Sequence, residues 1–111
     1  MGNPSRVVPR RLATKDLRDA AARYAAEAAA ATTRRFLDAV EQVFTIIARQ
    51  PGIGSPRYAV DLEWPGLRTH AVNRFPCLIF YLEQTDHLDV LQVLPAHRDI
   101  PVGLQDAEAE A

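Results

Sequence analysis

Cysteine is nearly absent from this chain of 111 residues, which holds only Cys77. One thiol excludes an internal disulfide and a cysteine metal cluster. Its place in an apolar run predicts a buried group rather than a reactive one. Aromatic residues are scarce at 7%, yet hydrophobic residues reach 48%, enough for one small core. Long apolar runs are missing. The longest, Cys77 to Leu82, is about a third of a membrane span. The N-terminus lacks the apolar stretch of a signal peptide, so a soluble cytoplasmic protein is expected. Net charge is only -1, which provides no global drive toward nucleic acid or membrane. Lysine occurs once among 13 basic residues, a composition effect that is silent on mechanism.

The charge that is present is unevenly spread. Residues 1–74 carry 12 basic and 7 acidic side chains, whereas residues 75–111 carry 1 and 7. Part of that acidic excess is a tail with Asp106, Glu108 and Glu110, which water can solvate. One domain over residues 1–111 is expected, with a folded core over about 6–104 and an acidic tail over 105–111.

Periodicity outlines the elements. Arg6 to Arg11 reads as a short strand whose Pro9 removes a backbone donor, which favours a sheet edge. Thr14 is a candidate helix N-cap, with Asp16 and Asp19 in the first turn. Leu17, Ala21, Tyr24 and Ala28 then fall on one helical face. A turn near Ala31, Thr32 and Thr33, with either threonine capping the next helix, competes with one long helix. The second helix has a clearer stripe in Phe36, Val40, Val43, Phe44 and Ile47, and Pro51-Gly52 ends it. Residues 52–65 read as a loop. Its glycines lack the spacing and the strand-to-helix setting of a phosphate-binding loop.

Three strands follow, over residues 67–72, 77–83 and 88–94, joined by short hairpin-like connections. The run CLIFYL predicts a central strand, and the last strand alternates imperfectly. The fold class is α+β: a small antiparallel sheet with a helical hairpin packed on it, in the order β-α-α-β-β-β. A short C-terminal helix is compatible with this order.

Few residues are candidates for chemistry. Arg68 either contacts a target or pairs with an acidic neighbour. Arg74 sits in a turn, where exposed arginines are common. Tyr81 reads more naturally as core with a satisfied hydroxyl than as an acid or stacking platform. Trp64 is a loop anchor or part of a partner surface. His70 and His97 lack a third ligand at metal-site spacing, so no metal is expected. Arg98-Asp99 before Ile100-Pro101 reads as a cap or ion pair that fixes a C-terminal turn.

As a set, several segments are similar to the ParE/RelE superfamily of toxins from type II toxin-antitoxin systems. They are LRDAAARYAAE, RRFLDAVEQVFTIIARQPGIGSPR, GLR from Gly66, NRFPCLIFY and the closing RDIP. The resemblance spans roughly residues 7–104. RelE-like members cut messenger RNA on the ribosome, and resemble one another in a basic sheet face, a basic residue opening the central strand and a C-terminal Tyr or His. Here that strand opens with Cys77-Leu78, and no Tyr or His follows Arg98. A near-neutral total charge also suits an RNA binder poorly.

The ParE-like branch resembles the chain better. It implies a toxin that inhibits DNA gyrase by binding, with no cofactor, and that a ParD-like antitoxin wraps and neutralises in a hetero-oligomer. No membrane and no direct contact with nucleic acid are implied. The target would meet Arg68, Arg74 and Arg98; the antitoxin would meet Tyr24, Phe44, Trp64 and Tyr81. An RNA endonuclease using His97, Arg98, Arg68 and Tyr81 is the alternative, and a non-toxic antitoxin-binding relative is another. Many relatives carry a His where this chain has Pro95, and His97 comes two residues later.

Overall fold

The computed structural model describes residues 4–96. The order is β1 (Arg6–Pro9), α1 (Arg11–Glu27), α2 (Ala30–Arg49), a 3-10 turn (Pro51–Ile53), α3 (Arg57–Asp61), β2 (Arg68–Ala71), β3 (Cys77–Glu83) and β4 (His87–Pro95). The α+β class and the helical hairpin are as the sequence predicts, with α3 added inside the expected loop. A C-terminal helix would lie outside the described residues.

The sheet order is β1-β4-β3-β2. Both pairs built from consecutive strands, β2 with β3 and β3 with β4, are antiparallel. β1 joins the edge of β4 in parallel, from Arg6 opposite His87 to Pro9 opposite Val90. The sheet is therefore mixed, not wholly antiparallel as expected. Tight connections force neighbouring strands to run oppositely, but β1 and β4 share no connection, so no turn signal sets their relative direction. Pro9 does lie on an edge strand, where its missing donor is tolerated.

Each helix starts differently from expectation. Arg10, with no side-chain cap, precedes α1, and Thr14 lies inside the helix with its N–H donated to the Arg10 carbonyl at 2.9 Å. Asp16 instead reaches across to β4, where its carboxylate accepts the Val93 N–H at 2.9 Å and the Gln92 amide at 3.2 Å. That stretch of β4 lies beyond the end of β1, so a helix side chain satisfies a strand donor that would otherwise be unpaired. The hairpin turns at Ala28 and Ala29, both extended, rather than at the threonines. Alanine favours helix, so packing between the two helices overrides local propensity here. Rings of Tyr24 and Phe36 meet at 5.1 Å across the turn.

The α2 stripe is as predicted: Phe36, Val40, Val43 and Ile47 are buried, and Phe44 is half-buried. The α1 stripe is displaced. Ala13 and Ala20 are buried, with Leu17 and Tyr24 half-buried on the same face, while Ala21 is only half-buried and Ala28 is exposed. A run of alanines leaves the phase undetermined, and contact with the sheet chooses it.

The core has two layers. On the helix side lie Ile79, Tyr81, Leu88, Val90 and Val93 with the α1 and α2 stripes. On the other face Leu67, Phe80, Leu91 and Leu94 are covered by Tyr58, Leu62 and Trp64. Cover on both faces explains why β4 is buried along nearly its whole length. It also contains a bulge: Phe80 pairs with Gln92 but Tyr81 with Val90, leaving Leu91 between. An extra residue reverses the alternation. That is why Leu88 and Val90 face the helices and the next residue to do so is Val93 rather than Gln92, and why the strand alternates imperfectly in sequence.

Candidate functional site

Three of the motif segments, those with GIGSPR, GLR and LIFY, converge on one largely buried cluster. Arg68 and Tyr81 are directly opposite in the β2–β3 register, so their side chains share a face. The Pro51–Ser55 turn lies against them. Ser55 pairs with Thr69 through two backbone bonds of 2.8 and 3.0 Å, extending the β2 edge. Tyr81 is fully buried. Its hydroxyl donates to the Pro51 carbonyl at 2.7 Å and accepts the Gly54 N–H at 2.9 Å. The Arg68 guanidinium donates to the Gly54 carbonyl at 2.7 Å. Segments that look separate in sequence are thus one hydrogen-bonded unit.

This geometry decides between the readings of Tyr81. It is core, with both functions of its hydroxyl used internally. Burial raises its pKa, with the Gly54 hydrogen bond opposing the shift. The ring is enclosed in this conformation, which weighs against the expectation that Tyr81 meets an antitoxin. The same commitment makes it a poor proton donor for RNA cleavage. Arg68 is half-buried, and its partner is a backbone carbonyl rather than the acidic neighbour considered above.

Arg74 occupies the turn after β2, exposed and with φ of 68°. Arg68 opens β2 and Arg74 lies in the turn beyond its other end, so the length of that strand separates them. Arg74 lines an open groove of about 770 Å³ with Arg35, Asp38, Glu41 and Phe75. The left-handed conformation costs a non-glycine residue about 1–2 kcal/mol. Arg74→Gly is therefore expected to raise stability by about 0.5–1 kcal/mol, after the entropy glycine loses on folding. A urea midpoint measures it, and a lower midpoint would show that the arginine side chain stabilises the turn.

The aromatic candidates lie on different faces. Half-buried Tyr24 packs tilted against Phe36 and edge-on against Phe75 and lines a groove of about 560 Å³ with Arg23, Cys77, Val93 and Pro95. Phe44 packs in the same helix-side layer. Trp64 packs in the opposite one, against the layer of Leu67 and Phe80, which is its anchoring role. The Cys77 thiol is pushed up to about 11 by burial, so it stays protonated at neutral pH. The His70 ring is 2.7 Å from the Ala71 carbonyl, and no group of three metal-binding side chains occurs among the described residues.

His97, Arg98 and the Arg98-Asp99 pair lie outside the described residues. Ala96 is tied to Pro76 by a backbone bond of 2.9 Å. The described chain therefore ends beside the Arg74 turn, at the Cys77 end of β3. Sequence reading overlooked Gly54, although its place in GIGSPR was visible, and the cluster around Asp89. No local periodicity marks either.

Among the described residues, no helix is long and apolar enough to cross a membrane. Curated proteins include no significant match to the chain. A solved structure described as the chromosomal ParDE TA system from P. aeruginosa is similar in fold. Its TM-score is 0.72 at 16% identity, covering 86% of this chain and 100% of that one. The family described as ParE toxin of type II toxin-antitoxin system, parDE, matches residues 7–100. That stretch contains all three α-helices, β2 to β4, β1 except Arg6, and the Gly54–Arg68–Tyr81 unit, and the chain belongs to this ParE toxin family.

Proposed function

We propose that the protein is a toxin that acts by binding, with DNA gyrase as its target and a ParD-like antitoxin as the partner that silences it. Family membership supports the toxin role. The observation that carries a binding mode is the Tyr81 hydroxyl, held between Pro51 and Gly54 and so withdrawn from proton transfer. Arginines spread along a surface suit a grip on a protein target better than a phosphate held for cleavage, where cationic groups must converge.

The antitoxin reading has its own support. Tyr24 and Phe44 belong to one layer and Trp64 to the other. A partner that touches all three must wrap the molecule, as an extended segment can. The groove beside Tyr24 sets Phe36, Val93 and Pro95 among the charged Asp19, Arg23 and Glu27, and so can seat both apolar and charged side chains of such a segment.

Purified protein added to a gyrase supercoiling reaction tests the target. Inhibition is expected, with Arg68→Ala and Arg74→Ala each weakening it in a small step, as substitutions in a binding surface do. Unaffected supercoiling, together with messenger cleavage on ribosomes, would overturn the proposal in favour of the endonuclease. Absence of either activity, with antitoxin binding retained, would identify a non-toxic relative.

A further inference from the structure

A second polar cluster lies where β1 meets β4, away from Arg68 and Arg74. At its centre Asp89 is 5% exposed. One of its oxygens faces Arg10 at 3.4 Å and the Gln84 amide at 3.2 Å; the other faces His87 Nε2 at 3.0 Å. His87 Nδ1 is 2.7 Å from an Asp86 oxygen. Both ring nitrogens therefore face carboxylates. A neutral imidazole has one N–H, so one nitrogen would present a lone pair to an anionic oxygen. Only the imidazolium satisfies both contacts.

The cluster spans three pieces of the chain. Arg10 is the first residue after β1, Gln84 and Asp86 belong to the β3–β4 turn, and His87 and Asp89 lie on β4. The other charged groups around His87 are Arg6, its neighbour in the β1 register, and Glu83 at the end of β3. β1 has only four residue pairs on β4, so a small number of side-chain contacts weighs heavily on whether it stays docked.

We propose that the His87 imidazolium is a proton-dependent latch that holds the N-terminal strand β1 on β4 through Asp89 and Arg10. Deprotonation removes the ring's charge, so its attraction to both carboxylates is lost whichever nitrogen keeps the proton. In the tautomer that keeps Nδ1–H, the carboxylate that anchors Arg10 also loses its donor. Opening of β1 would uncover the backbone edge of β4 from His87 to Val90, a site where another extended chain can add.

The direction of titration agrees with this geometry. The pKa of His87 is raised from 6.5, first by the hydrogen bond to Asp86 and, against the effect of burial, by that to Asp89. A raised folded-state pKa stabilises fully below the unfolded value. That stabilisation is lost as pH rises through the folded value. The window thus opens near 6.5 and extends above it.

The test is amide hydrogen exchange of the full chain between about pH 6 and about pH 8.5, with NMR titration of the His87 ring. Protection of β1 amides is read as a ratio to α2 amides, which cancels the intrinsic pH dependence of exchange. The ratio is expected to fall across the window, by at most about tenfold per pH unit for one linked proton. Its midpoint should coincide with the His87 titration. His87→Gln should abolish the pH dependence, and Asp86→Asn should move its midpoint down. An unchanged ratio, a fall shared equally by α2, or the same slope in His87→Gln would overturn the latch.

Discussion

Phe36→Ala is expected to remove about 3–5 kcal/mol of stability, the usual cost of truncating a buried aromatic side chain to alanine. Phe36 is 1% exposed. Its ring lies 5.1 Å from Tyr24 and 5.3 Å from Phe75, so it joins α1, α2 and the β2–β3 turn. The Phe36–Phe75 pair is edge-on, a geometry that adds to the area each ring buries. Neither neighbour can collapse into the space, because Tyr24 is held on α1 and Phe75 by the turn after β2. Small domains have about 5–15 kcal/mol in total, so this variant should lie near its unfolding midpoint under mild conditions. Urea titration with an unchanged slope measures the loss. A cost below about 1 kcal/mol would mean that the hairpin tip is loosely packed and the ring trio does not organise it.

The second large effect is expected at Gly54. A Cβ there would stand 2.5 Å from the Tyr81 hydroxyl, 2.8 Å from its ring and 3.0 Å from the Thr69 carbonyl. Backbone strain is not the reason, since its φ of -68° suits any residue. Space is the reason. The methyl of Gly54→Ala must displace either the turn or Tyr81, and such overpacking costs about 1–3 kcal/mol. Displacing the turn also endangers the bond from Gly54 to Tyr81 and the one from Arg68 to Gly54. At Gly52, two residues earlier, an added methyl would meet nothing within 4 Å, so Gly52→Ala is the matched control and should be near neutral. Adding Tyr81→Phe removes the nearest atom of the clash. The double variant should therefore be less unstable than the sum of the two single changes. Strict additivity would place the cost elsewhere. If Arg68 meets the target, Gly54→Ala should weaken gyrase inhibition beyond what its stability loss explains.

Arg74 offers the opposite combination. Its backbone strain predicts that glycine stabilises the turn, while a target contact predicts that glycine weakens inhibition. A variant that folds better and inhibits less would separate function from fold at this position.

Much of the architecture was legible in the chain itself. The stripe of Phe36, Val40, Val43 and Ile47 marks α2, and Pro51 marks its end. The CLIFYL run marks an interior strand, Pro9 an edge, and the motif set from GIGSPR to LIFY the family. These are local signals, because burial of one face repeats every few residues and turn chemistry acts on its neighbours. Tertiary contacts decided the rest. They set the parallel pairing of β1, the turn at Ala28-Ala29 and the phase of the alanine-rich α1. They also chose the partners of buried polar groups: Gly54 with Tyr81 across 27 residues, Asp16 with Val93 across 77, and Arg10 with Asp89 across 79. A buried donor or acceptor must find a partner, but nothing near it in sequence says which one. That choice exists only once the two layers have closed on the sheet.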